Sequence, residues 1–202
     1  MNEIKLNGII TNISPSHTIN NTEYSKAQII NRKTDGYENV LNLRFKTFSN
    51  PYKEGDKVEL SGNLRSYSKQ LDNGKSKVDI YVFTYFDIPK NVNDQEYINE
   101  VEIDGRICKI DKIRKTHEGK DSIHYILANN IIVENKNQKL NSYLPIVAYD
   151  DVARRLSELK VNDKIAISGQ LHSREFKKRI SEDDFEIHVA HEIIVRDFKV
   201  IE

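Results

Sequence analysis

One hydrophobic pattern occurs twice in this chain, and that repetition limits the possible fold more than any other feature. From Ile4 to Ile13 apolar residues alternate with polar ones around Gly8, and the pattern returns from Val101 to Ile110 around Gly105, 97 residues later. A second echo pairs Asp56 to Leu64 with Asp163 to Leu171, which places Gly62 and Gly169 at an offset of 107. Alternation with period two describes a strand with one buried face. Glycine weakens a strand interior unless the chain bends there or another backbone passes close, and the first strand of a small barrel needs such a bend. Gly8 and Gly105 therefore read as barrel corners. The 202 residues hold two β units of about 100 residues each and leave no length for a large third module.

The stretch Leu144 to Leu171 shows what kind of unit this is. It opens as an apolar strand on which Tyr143, Val147 and Tyr149 share one face. A helix follows, with Asp150 or Asp151 as its N-cap, an apolar stripe of Val152, Ala153, Leu156 and Leu159, and a turn at Asn162-Asp163. The next strand starts at Lys164 and leads into a basic loop, Arg174 to Arg179. Strand, helix, strand is the middle of a five-stranded OB barrel, in which the helix between strands three and four plugs one end. In the first unit the corresponding segment, residues 49–55, is too short and turn-prone for such a helix, so that unit reads as the reduced copy.

The predicted fold class is all-β, two tandem five-stranded OB barrels, the second with a helix between its third and fourth strands. Strands are expected near 2–13, 24–31, 40–48, 57–67 and 77–87, with turns at Asp35-Gly36 and Asp72-Asn73-Gly74 and a close at Ile88-Pro89. The second set is expected near 98–111, 122–133, 142–149, 164–173 and 185–199. Domain one is then residues 1–89, the polar segment 90–96 a linker, and domain two residues 97–202.

The apolar run, the helix and the strand ending Ser168-Gly169-Gln170-Leu171 together resemble the bacterial single-stranded DNA-binding protein (SSB) family. The resemblance implies stacking aromatics at the start and end of the third strand and in the loop after the fourth, where Tyr143, Tyr149 and Phe176 stand, with Tyr and Phe in place of the family's usual Trp. In the first unit only Phe48 matches; Asn42 and Lys69 hold the other two places, and Tyr67 stands in for the latter. The resemblance further implies a homodimer in which four barrels surround the strand, and partners among replication and repair proteins. The chain stops at Glu202 without the family's acidic tail, in which it is similar to the primosomal SSB relative of replication restart.

An OB barrel binds nucleic acid across strands two and three, between the loop joining strands one and two and the loop joining strands four and five. Basic residues gather there. The second unit offers Arg114 and Lys115 in one loop and Arg174, Lys177, Lys178 and Arg179 in the other; the first offers Arg65, Tyr67 and Lys69, with Arg44, Lys46 and Phe48 on strand three opposite Leu43 and Phe45. Phosphates supply affinity and flat rings take the bases, each stacked base adding about 1–3 kcal/mol. The same residues also fit ordinary solvated loops and barrel packing, and Tyr81, Phe83 and Tyr85 share a face that suits core or interface.

The remaining features narrow the class. Lys and Arg total 31 and so do Asp and Glu, a balance that argues mildly against very strong non-specific binding. The six histidines lack zinc spacing, although His172 and His188 could meet across strands; GxxxxGK[ST] and GxGxxG are absent, so neither an enzyme, a cofactor nor a metal is expected. The single Cys108 excludes an internal disulfide, suits a reducing cytoplasm and is expected to pack as a small hydrophobe; no apolar run is long enough to cross a membrane. The expected function is largely sequence-independent single-stranded DNA binding in replication, repair or recombination. The alternatives are an OB module for protein assembly that has lost strand binding, and an RNA-binding protein.

Overall fold

In the computed structural model, which describes residues 1–49, 52–70, 76–84, 97–133, 138–179 and 184–201, alternation decides the architecture. The first unit comprises β1 (Asn2–Ile19), β2 (Thr22–Arg32), β3 (Glu38–Lys46), β4 (Lys57–Gln70) and β5 (Ser76–Thr84). Every second residue faces inward, so Ile4, Leu6, Ile29, Leu41, Leu43, Phe45, Leu60, Leu64 and Val82 are at most 1% exposed. The strands close a circuit β1-β2-β3-β5-β4-β1, with β3 and β5 parallel and the other pairs antiparallel.

The second unit repeats this with β6 (Asn99–Ile110), β7 (Arg114–Lys115), β8 (Asp121–Val133), β9 (Gln138–Tyr149), α1 (Asp150–Leu156), β10 (Lys164–Arg179) and β11 (Phe185–Val200). Its circuit is β6-β8-β9-β11-β10-β6, with β9 and β11 the parallel pair. Both units are five-stranded OB barrels. The repeated glycines sit where a neighbouring backbone crosses: a Cβ on Gly8 would stand 2.4 Å from the Ile30 carbonyl oxygen, and one on Gly105 would stand 2.4 Å from that of Ala128.

The barrel ends differ as the sequence suggests. In the second unit Ala153 and Leu156 of α1 plug the opening, and the Tyr125 hydroxyl donates to the Leu156 carbonyl. In the first, one 3-10 turn (Thr47–Ser49) replaces the helix, and Tyr52 fills the space, its ring edge-on to Phe45 at 5.3 Å. Four expectations need correction. Helix α1 ends at Leu156, a turn before Leu159, and Tyr149 is its N-cap with no side-chain hydrogen bond, so Asp150 and Asp151 act only as first-turn charges favoured by the helix dipole. Cys108 is exposed, because a register shift between Ile107 and Lys109 turns it out of the ladder. Phe48 lies in the 3-10 turn beyond β3. Residues 174–179 are not a loop but the continuation of β10, paired with β11 as far as Arg179↔Phe185. The expected turn at 72–74, the close at 88–89 and the linker at 90–96 lie outside the described residues.

The barrels are joined edge to edge by antiparallel pairing of β1 with β6, centred on Ile4↔Val101. Those two residues are each other's counterparts in the repeat, so an approximate two-fold axis runs between them. Buried amides obey it. Asn99 donates to the Leu171 carbonyl (2.8 Å) and accepts from the Leu171 amide (2.9 Å), while also donating to Asn31 Oδ1 (3.0 Å). Asn2 makes the same three bonds with Leu64 and Asn129, each at 2.8 Å. Ser66 Oγ accepts from the Tyr143 amide (2.7 Å) and Ser173 Oγ from the Val40 amide (2.9 Å), repeating the relation further out.

Candidate nucleic-acid interface

In the first unit, residues that alternate with the core project from β2 and β3 as rungs. Gln28 lies directly opposite Asn42, Lys26 opposite Arg44 and Tyr24 opposite Lys46. The Arg44 guanidinium sits 4.2 Å from the Tyr81 ring and 4.7 Å from the Tyr67 ring. Beside it Arg65 lies 3.8 Å over Phe83, Tyr24 is 6.2 Å from Phe83, and His17 stacks on Tyr24 at 4.8 Å with rings 7° apart. Burial, then the nearby Arg44 charge, holds the His17 imidazole below its ordinary pKa. Lys46 extends 5.7 Å over Phe48, which is 73% exposed.

Two like charges directly opposite on one sheet face are unfavourable. Lys26 and Arg44 nevertheless stand side by side across β2 and β3, with no ion pair to either among the described residues. The face is the floor of a groove of about 610 Å³ whose other wall comes from the second unit: Ile187, His188, Val189 and His191 of β11 stand across from Gln28, Asn42, Arg44, Tyr67 and Tyr81. The β10–β11 ribbon is fixed there by His191 Nε2 at 2.9 Å from the Val40 carbonyl oxygen and by the Ser173 amide, which donates to Asn39 Oδ1 at 3.0 Å.

The second unit's face is formed by Tyr149 on β9, Arg174 and Phe176 on β10 and His188 on β11. Phe176 stacks on His188 at 5.7 Å with rings 27° apart, and the Arg174 guanidinium is 5.9 Å from the Phe176 ring. Arg174 Nε lies 3.5 Å from Glu192 Oε1. Burial, then the Glu192 charge, pushes the Tyr149 phenol above its usual pKa, against the opposing pull of Arg174 and Lys120; the four groups share one patch. Arg114 lies opposite Ser122, and Ser122 opposite Tyr149, in one row across three strands. Lys115 is held by Asp121 at 2.6 Å, which Arg154 shares at 2.9 Å.

The family model for the single-strand binding protein family matches residues 98–201. The chain belongs to the single-strand binding protein family. No curated protein matches it by sequence. Among solved structures, the wild-type single-stranded DNA binding protein from Thermus aquaticus is similar over 100% of this chain and 93% of that chain, with 16% identity and a TM-score of 0.66. A deletion mutant of the same protein covers 100% and 95%, with 16% identity and a TM-score of 0.67. PriB from Ralstonia solanacearum covers 52% of this chain and 99% of that chain at 11% identity and a TM-score of 0.39. The two Thermus structures show the fold, tandem barrels included.

For this member of the single-strand binding protein family, the structure brings Tyr149, Arg174 and Phe176 together, and Arg44, Tyr67 and Arg65 likewise. Tyr143, 45% exposed, sits apart at the seam with Ser66, and Phe48 stands at the rim with Lys46. Lys177 and Arg179 point to the opposite face of the ribbon from Phe176, opposite Ile187 and Phe185. The side chains of Lys69 and Lys178 lie outside the described residues. His172 and His188 do not meet; their partners across the strands are Glu192 and Phe176. Tyr24, His17 and Lys26 were missed, and Tyr81, expected in core or interface, lies under the Arg44 guanidinium on the groove face. The alternation Tyr24-Ser25-Lys26 and Tyr81-Val82-Phe83 was a visible signal, but only strand pairing shows that both runs project around Arg44. Among the described residues no three His, Cys, Asp or Glu side chains are grouped to hold a metal, and no helix is long and apolar enough to cross a membrane.

Proposed function

We propose that this protein binds single-stranded DNA without enzymatic activity, in the cytoplasm, through both barrels. The observation that carries the reading is the Lys26–Arg44 rung set among Tyr24, Tyr67 and Tyr81: paired cations for phosphates beside rings for bases. With Lys26, Tyr24 and Tyr81, the binding set comprises Arg44, Lys46, Phe48, Arg65, Tyr67 and Lys69 in the first unit, and Arg114, Lys115, Tyr143, Tyr149, Arg174, Phe176, Lys177, Lys178 and Arg179 in the second. Residues 1–89 and 97–202 act as the two domains, 90–96 as their linker. The protein works as a homodimer that serves replication, repair or recombination.

The test is a titration of fluorescently labelled oligo-dT, with duplex and oligo-U of equal length, at low and physiological salt. Salt-sensitive binding that prefers dT to duplex is expected, because phosphate contacts release counterions and only unpaired bases can stack on the rings; oligo-U reports the DNA against RNA preference. Absence of binding at low salt overturns the reading. Sedimentation of the unliganded protein checks the dimer.

A further inference from the structure

Next to the cationic rung, the groove of the first unit has a second rung of different chemistry. Gln28 and Asn42 lie directly opposite each other, one rung, about 7 Å, from Lys26 and Arg44. The amides are oriented by their neighbours. Asn42 Nδ2 donates to the Ile80 carbonyl at 3.4 Å, which leaves its Oδ1 as an acceptor toward the groove. Gln28 Oε1 accepts from Asn12 Nδ2 at 2.6 Å, which leaves its NH2 as a donor. The Asp79 carboxylate lines the same space and, across it, Ile187 and Val189 form an apolar wall. An apolar wall packs against a base, and the fixed amides across from it meet the base's edge.

Resting on the single-strand reading above, we propose that this slot is a base-reading site selective for nucleobases that carry an exocyclic amino group, cytosine foremost. The Watson–Crick edge of cytosine presents an N4 amino donor followed by N3 and O2 acceptors. Asn42 Oδ1 accepts from the amino group, while the Gln28 amide donates to a ring acceptor. Uracil and thymine put a carbonyl oxygen where cytosine has the amino group and an N3–H where it has an acceptor, so they set acceptor against Asn42 Oδ1 and donor against the Gln28 amide. The neighbouring Lys26–Arg44 rung takes the attached phosphate, so one nucleotide spans both rungs. The second unit's ribbon is therefore part of the first unit's specificity, since Ile187 and Val189 hold the base against the amides.

The test compares labelled oligo-dC with oligo-dU of equal length at neutral pH, two strands whose bases differ only at this edge. The intact protein should bind dC tighter by roughly fivefold or more, the low end of what a paired edge contact allows. Asn42→Val and Gln28→Leu should each shrink that ratio toward one by weakening dC binding more than dU binding. Equal affinity of the intact protein for dC and dU, or a ratio unaltered in both variants, overturns the base-reading slot and leaves the single-strand reading standing. Binding of neither strand overturns both.

Discussion

Arg44 holds two tyrosine rings to one guanidinium, and its role follows from its shape as much as its charge. Lysine keeps the charge but loses the flat stacking surface. Arg44→Lys should therefore weaken oligo-dT binding while leaving the salt slope unchanged, whereas Arg44→Ala should lower both affinity and slope; a salt titration of the two variants checks this. Phe176, 38% exposed and stacked on His188, should cost about 1–3 kcal/mol of strand affinity on change to Ala with little shift in melting temperature. Loss of stability with intact affinity would place that ring in the packing instead. His172 gives a pH prediction. Burial, then the Lys33 charge, lowers its pKa to about 4 from an ordinary 6.5. The folded state thus prefers the neutral ring, so its contribution is complete above pH 6.5 and falls away as pH drops toward 4. Denaturant unfolding should lose at most about 3 kcal/mol across that window through this group, and His172→Gln should remove that part of the slope.

The β10–β11 ribbon is the element with most consequence. A sequence scan ends β10 near residue 173, because Arg174 to Arg179 are charged apart from Phe176, and an exposed two-stranded ribbon needs no apolar alternation. Pairing with β11 extends the strand, and the extension crosses the face of the other barrel. Ile187 and Val189, 64% and 38% exposed, are apolar at the surface because they face that groove. Ile187→Ser with Val189→Ser should weaken strand binding several-fold and leave the melting temperature within about 2 °C, since surface changes stay near ±0.5 kcal/mol. Helix α1 behaves oppositely. Leu156→Ala opens the plugged barrel end and should destabilise by about 2–5 kcal/mol, read in denaturant unfolding, with strand contacts intact in the folded fraction.

At the scale of the molecule, the two-fold amide network sets the barrels against each other. Asn99 is 1% exposed and its three hydrogen bonds join both units. Asn99→Leu leaves the Leu171 amide and carbonyl and Asn31 Oδ1 without that partner in a buried seam, at a cost of about 1–3 kcal/mol for each group left unsatisfied. Unfolding should then become less cooperative, with tryptophan-free probes such as tyrosine fluorescence and circular dichroism no longer superimposing. Because the first unit's groove has a wall from the second, the same variant should also loosen strand binding. A variant that unfolds in one step at the original midpoint would show the seam to be dispensable.

The sequence by itself determined the number of barrels, their strand order and the difference at their ends. Period-two alternation, corner glycines and a helical stripe are local signals, read without knowing what each segment touches. The repeat also marked the glycines that strand crossing requires. What only the tertiary structure decided is where the two faces lie relative to each other. Tyr24, Lys26, Tyr81 and Phe83 become neighbours of Arg44 through pairing across β2, β3 and β5, and Val189 becomes a wall for Asn42 through a ribbon from the other unit. Those contacts join residues far apart in the chain, and no local pattern encodes a distance that only the closed barrels and their shared seam impose.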